Sequence, residues 1–233
     1  FDIAYEQNSG RGIIVYNPSA TGIDPQYRIW NSSSWSSPQT VDIGTTGVVY
    51  WIKLTSKPSS NEIALITLDA NRGVYGMIWN GASWGNGQLL ENNAAIAAEE
   101  DIAVEYMQVS KQAMFVWGSG TQMQSRVWSG TAWGSELSGV SIGATPYWFS
   151  LKADPNSNKL VLVIVDGSSY LNTIRWSGTA WTLDTRHSNR VQTNAARCAD
   201  AEFETTPGHE GHIILVWGEW NTNPVTYRHF NGA

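Results

Sequence analysis

Two kinds of apolar run alternate along this chain. The first mixes apolar and polar residues, as in "DIAYE", "WIKLT", "DIAVE", "WFSLK" and "DAEFE". The second follows a polar turn such as "QNSGRG" or "DPNSNK" and is almost unbroken: "GIIVY", "IALITL", "AMFVW", "LVLVIV" and "HIILVW". Mixed runs suit half-buried strands, and continuous runs rich in Val and Ile suit strands covered on both faces. A third strand then ends at a tryptophan and a fourth begins at another. This gives the pairs Trp30/Trp35, Trp79/Trp84, Trp128/Trp133 and Trp176/Trp181. The intervening loop reads SGTA in two copies and NGAS in a third, small glycine-containing turns of a tight hairpin. "NNAAIAAEED" has weak helical spacing and is read as a loop between repeats.

The leading aromatics recur at intervals of 49, 49, 48 and 54 residues, the last being Phe230 in the incomplete copy "HFNGA". That period in a strand-rich chain predicts propeller blades. The expected fold is therefore all-β, one five-bladed β-propeller domain over residues 1–233, built from four-stranded repeats of about 48 residues. The blades run approximately over 1–50, 51–100, 101–147, 148–199 and 200–233, the last without its outermost strand. Closure into a ring is expected, because an open stack would expose its end faces. Two large rings at each hairpin's base would cover the sheet edge and pin its register, so the Trp pairs are read as scaffold.

The repeats are of two alternating types. Blades one, three and five open with Asp2, Asp101 and Asp200, followed four residues on by Glu6, Glu105 and Glu204. Their second strands end in Tyr16, Trp117 and Trp217, and their third strands carry Arg28, Arg126 and Arg228. Blades two and four instead have Trp51 and Trp148, Asp69 and Asp166, and Met77 and Ile174 at these positions. One reading is a ring of inter-blade salt bridges, with Lys53 and Lys152 between the carboxylates and the third-strand Arg as a partner. Another is a ligand site repeated in the odd blades, with Arg and carboxylate for sugar hydroxyls and Tyr16, Trp117 or Trp217 as an apolar platform. A third is a cation site, a structural Ca2+ near Asp2, Asp101 and Asp200.

The order apolar strand, turn, strand ending in Trp, then a Gly-containing loop and a second Trp resembles the blades of small propeller lectins. Fungal and bacterial fucose-binding lectins and the tachylectin-2 type are the families concerned, and the likeness covers the whole chain at repeat level. It implies a non-catalytic carbohydrate-binding module. Fucose lectins hold sugar with an Arg on the second strand, a Glu on the third and an aromatic from the neighbouring blade. The second strands here contain no Arg, so that site does not carry over.

Composition narrows the choice of partner. A net charge of −6, with no basic stripe, argues against nucleic acid. No apolar run is long enough to span a bilayer. Low charge, 22 Gly and 13 Trp suggest a secreted or cell-surface protein, meeting a glycan or glycoprotein surface. The chain opens at Phe1 inside a strand, without initiator Met or signal segment, and is expected to be a piece of a larger protein. "PGHEGH", with His209 and His212, is read as a turn, as is "DPNSNK". No nucleophile elbow is present. Acids that recur in three blades suit binding or structure better than a single active site, so a hydrolase or lyase, like a purely structural domain, stands as the alternative.

Overall fold

The runs form strands where their patterning places them. The computed structural model describes residues 1–194, 196–220 and 225–231; Gly232 and Ala233 of the last repeat lie outside the described residues. Sheet one holds β1 (Asp2–Tyr5), β2 (Gly12–Tyr16), β3 (Gln26–Trp30) and β4 (Gln39–Thr40). Sheet two holds β5 (Val49–Ser56), β6 (Ile63–Asp69), β7 (Val74–Trp79) and β8 (Trp84–Glu91). Sheet three holds β9 (Ile102–Tyr106), β10 (Ala113–Ser119), β11 (Gln122–Trp128) and β12 (Trp133–Ser141). Sheet four holds β13 (Pro146–Ala153), β14 (Leu160–Asp166), β15 (Leu171–Trp176) and β16 (Trp181–Ser188). Sheet five has three described strands, β17 (Ala199–Phe203), β18 (His212–Trp217) and β19 (Thr226–Asn231). Each sheet is an antiparallel meander in chain order. First strands of consecutive sheets lie against one another, which makes them the inner strands of a propeller.

Second strands are the most deeply covered, and every residue of β6 and β14 is buried. Fourth strands alternate with mostly exposed positions, as the outer rim must. The hairpin loops explain the recurring tetrapeptide. Asn80 Oδ1 accepts from the N–H groups of Ala82 and Ser83, and Ser129 and Ser177 accept in the same way from the residues that follow them. Next comes a left-handed residue, Gly81, Gly130 or Gly178, at φ of 94°, 97° and 104°. Glycine is the residue that adopts this conformation without a steric cost.

Four buried apolar clusters fill the junctions between consecutive sheets. None joins sheet five to sheet one. Phe1, Ile3 and Tyr5 on the outward face of sheet one are 87%, 44% and 53% exposed, and Ile214 and Tyr227 on the outward face of sheet five are 47% and 68% exposed. The expected ring closure is therefore not formed among the described residues. Five blades make an open arc with two uncovered faces. Trp51 and Trp148, from sheets two and four, meet edge to face across its axis at 5.6 Å.

Candidate functional site

The tryptophan pairs of sheets two, three and four clamp each of these sheets to the one before it. Paired rings lie 5.3 to 5.6 Å apart in all four copies. Trp79 donates its indole N–H to Glu6 Oε1 at 2.6 Å, and Trp128 donates to Glu62 Oε1 at 3.3 Å. The second members do likewise, Trp133 to the Asn86 carbonyl at 2.8 Å and Trp181 to Ser125 Oγ at 2.9 Å. Glu6 is fully buried. Burial works to raise its pKa, but donors from Arg11, Ser9 and Trp79 together hold it below the usual carboxylate range.

The aromatic, Arg and acid of the odd sheets do not come together. Cross-strand partners share a face. Phe115 pairs with Arg126 and Trp117 with Ile102, so Trp117 and Arg126 face sheet two; Glu105 pairs with Met114 and leaves β9 on the other side, its carboxylate accepting from Thr55 Oγ1 of the inner strand β5 at 2.7 Å. Glu6 likewise faces sheet two, while Tyr16 and Arg28 lie on the outward face of sheet one. Trp217 and Arg228 face sheet four, and Glu204 lies on the outward side of sheet five. Trp117 has no exposed surface, which removes it as a platform for a ligand. Nor does the third-strand Arg partner these acids: Arg28 donates to the Ser36 carbonyl and Arg228 reaches His187.

Packing accounts for the alternation instead. Trp117 shares its core with Trp51 of the preceding sheet, and Trp217 shares its core with Trp148. Asp69 accepts from the N–H groups of Thr46, Gly47, Asn71 and Gly73, and Asp166 from those of Ser168 and Tyr170, so each organises the turn after its strand. Near the axis, Lys53 pairs with Glu100, and Lys152 lies 3.3 Å from Glu202 and 4.0 Å from Asp200. Asp2, Asp101 and Asp200 do not converge on one point. Asp2 accepts from the Leu54 N–H, Asp200 accepts from Ser150 and pairs with Arg197, and Asp101 is enclosed beside Gly118 and Pro146. Burial pushes the Asp101 carboxyl well above the usual range.

The junction of sheets four and five is built differently. Its leading aromatic is Phe230, and the residue before Trp176 is Arg175, where the other full repeats carry Ile29, Ile78 and Val127. Arg175 and Arg228 approach the Phe230 ring at 5.8 and 5.3 Å. Arg175 also pairs with Asp184 at 2.8 Å. A cleft of about 240 Å³ opens here, lined by Lys159, Arg175, Trp176, Thr182, Phe203 and Ile213 among others. Beside it, His187 contacts Thr173 Oγ1 through Nε2 at 2.8 Å and Arg228 through Nδ1 at 3.2 Å. An arginine can only donate, so Nδ1 accepts and Nε2 carries the proton. Burial and then the Arg228 charge lower the His187 pKa to about 4, against the opposing pull of Asp184, so the ring is neutral at neutral pH. The cleft thus offers cationic donors and hydroxyls around an apolar wall. Sequence reasoning missed Arg175, His187 and Phe230; the two departures at Arg175 and Phe230 were its available signal.

No protein-family description and no curated protein matches this sequence. Among solved structures, the chain is similar to the BP39L lectin from Burkholderia pseudomallei, with TM-score 0.65 and 12% identity over 97% of this chain and 67% of that one. It is also similar to the SapL1 lectin, solved in complex with α-methyl fucoside, with TM-score 0.61 and 17% identity over 99% and 76%. Six-bladed Aleuria aurantia lectin gives TM-score 0.52 and 14% identity over 76% of this chain and 56% of that one. The chain therefore has a lectin-like β-propeller fold and spans 56% to 76% of these lectins' lengths.

Proposed function

We propose that this protein is a non-catalytic carbohydrate-binding module and that a single sugar ring binds in the cleft between sheets four and five. The observation that carries the reading is the cleft's chemistry. Arg175 and Lys159 supply donors for ring hydroxyls, Thr182 a hydroxyl of its own, and Phe203 and Ile213 an apolar wall. Of the odd-sheet sets, Arg228 and Trp217 belong to this junction, each beside His187. Among the described residues, the cleft lining has no carboxylate pair of the kind glycoside hydrolysis needs. The lectin neighbours support the substrate class, and a secreted or surface-displayed setting, facing glycans or glycoproteins, accords with it.

The test is titration of α-methyl fucoside and a panel of other monosaccharides, followed by tryptophan fluorescence and NMR shifts. Affinity is expected in the millimolar to micromolar range for one shallow site. Arg175→Ala should weaken it at least about tenfold, the loss of a charged hydrogen bond. Retained binding in a folded Arg175→Ala variant places the site elsewhere. A second reading, a purely structural domain, is favoured by the burial of Trp117 and the pairing of Glu6. Failure of every glycan to bind would decide for it.

A further inference from the structure

We propose that Glu204, His212 and His229 form a site for one divalent transition-metal ion of the zinc class on the outward face of sheet five. Glu204 follows β17, His212 opens β18 and His229 lies on β19. The Glu204 N–H donates to the His212 carbonyl, and Glu202, Ile214 and His229 are in register across the three strands. All three side chains consequently leave the sheet on one side. One ligand atom from each lies within 4.8 Å of the other two. The "PGHEGH" turn adds His209, whose ring stacks on His212 at 4.7 Å and whose Nδ1 lies 2.6 Å from Glu204 Oε1.

Sheet one shows what the same register positions do in a packed junction. There the Glu6 N–H donates to the Arg11 carbonyl, and Ile13 pairs with Ile29. Glu6 forms an ion pair with Arg11 and takes the Trp79 N–H of the next sheet, while Ile29 packs in the core. Sheet five replaces Arg11 by His212 and Ile29 by His229, and no sheet among the described residues covers this face. A cation and an aliphatic side chain have become two imidazoles beside a carboxylate. Imidazole nitrogen and carboxylate oxygen are ligands for zinc, copper and nickel. Two His and one Glu leave a further coordination position, which faces solvent here and takes water. Ligand atoms around one zinc lie roughly 3.3–3.6 Å apart, given bonds of about 2.0–2.2 Å. Side-chain rotation closes this set to that spacing from its present separations of up to 4.8 Å, and His229 is exposed. His209 then acts on the second oxygen of Glu204 as a positioning partner.

Calorimetric titration of the 233-residue protein with zinc chloride, after treatment with chelator, tests this directly. Cobalt(II) serves as the spectroscopic probe. One equivalent should bind, cobalt should develop the visible bands of nitrogen and oxygen coordination, and the melting temperature should rise with zinc concentration. His229→Gln should abolish stoichiometric binding without loss of fold, because that residue is exposed. His209→Ala should weaken binding about 10–100-fold, the range for an outer partner of a ligand. Absence of binding overturns the proposal. So does binding at several equivalents that His229→Gln and Glu204→Gln leave unchanged.

Discussion

Trp128 and Trp30 hold the same position in their repeats but differ in what stands before them. Trp128 is 2% exposed, wedged against sheet two with its N–H on Glu62. Trp30 belongs to sheet one, on whose outward face no described sheet packs; its ring is half-buried and its partner Trp35 is 39% exposed. Burying an aromatic stabilises in proportion to the area removed from water. Trp128→Ala should cost about 3–5 kcal/mol, the range for large aromatic truncation in a core. Trp30→Ala should cost only about 1–2 kcal/mol for the area it still covers. Chemical denaturation of the two variants checks the difference. Equal losses would mean that something covers Trp30 in solution.

Among the elements, the hairpin between third and fourth strands carries one local conflict. Ser32 occupies the left-handed place at φ 76° that Gly81, Gly130 and Gly178 fill in later repeats. An L-residue there costs roughly 1–2 kcal/mol relative to a residue without Cβ. Ser32→Gly should therefore stabilise sheet one by about 1 kcal/mol, read as a rise in denaturation midpoint; no change would mean the loop relaxes the strain elsewhere. Hairpins, strand order and repeat period were legible in the sequence because glycine, tryptophan and apolar runs report local geometry. Which face each side chain takes was less legible. Tyr16, Arg28 and Glu6 look like one constellation along the chain, but a one-residue change in register moves a side chain through the sheet. The cleft at sheets four and five was passed over for another reason. Arg175 and Phe230 are departures from the repeat, whereas the reading followed what recurs.

At the scale of the whole molecule, counting repeats fixes the number of sheets but not the angle between them, so closure had to come from structure. Among the described residues the arc has four inter-sheet cores for five sheets. Sheets two, three and four are each packed on both faces; sheets one and five are packed on one. In a linear array, stability is approximately a sum of unit terms and nearest-neighbour interfaces, so a terminal unit opens at the loss of one interface and an interior unit at the loss of two. Local opening sets amide exchange rates. Strands β6, β10 and β14 should thus be the slowest to exchange, while β1 to β4 and β17 to β19 exchange well before them. Native-state hydrogen exchange read by mass spectrometry resolves these segments. If β2 and β18 were protected as strongly as β10, sheets one and five would have to be covered in solution, either by each other or by another copy, and the open arc would not describe the protein there. Repeating the measurement across a range of protein concentrations separates those cases, because only covering by another copy weakens on dilution.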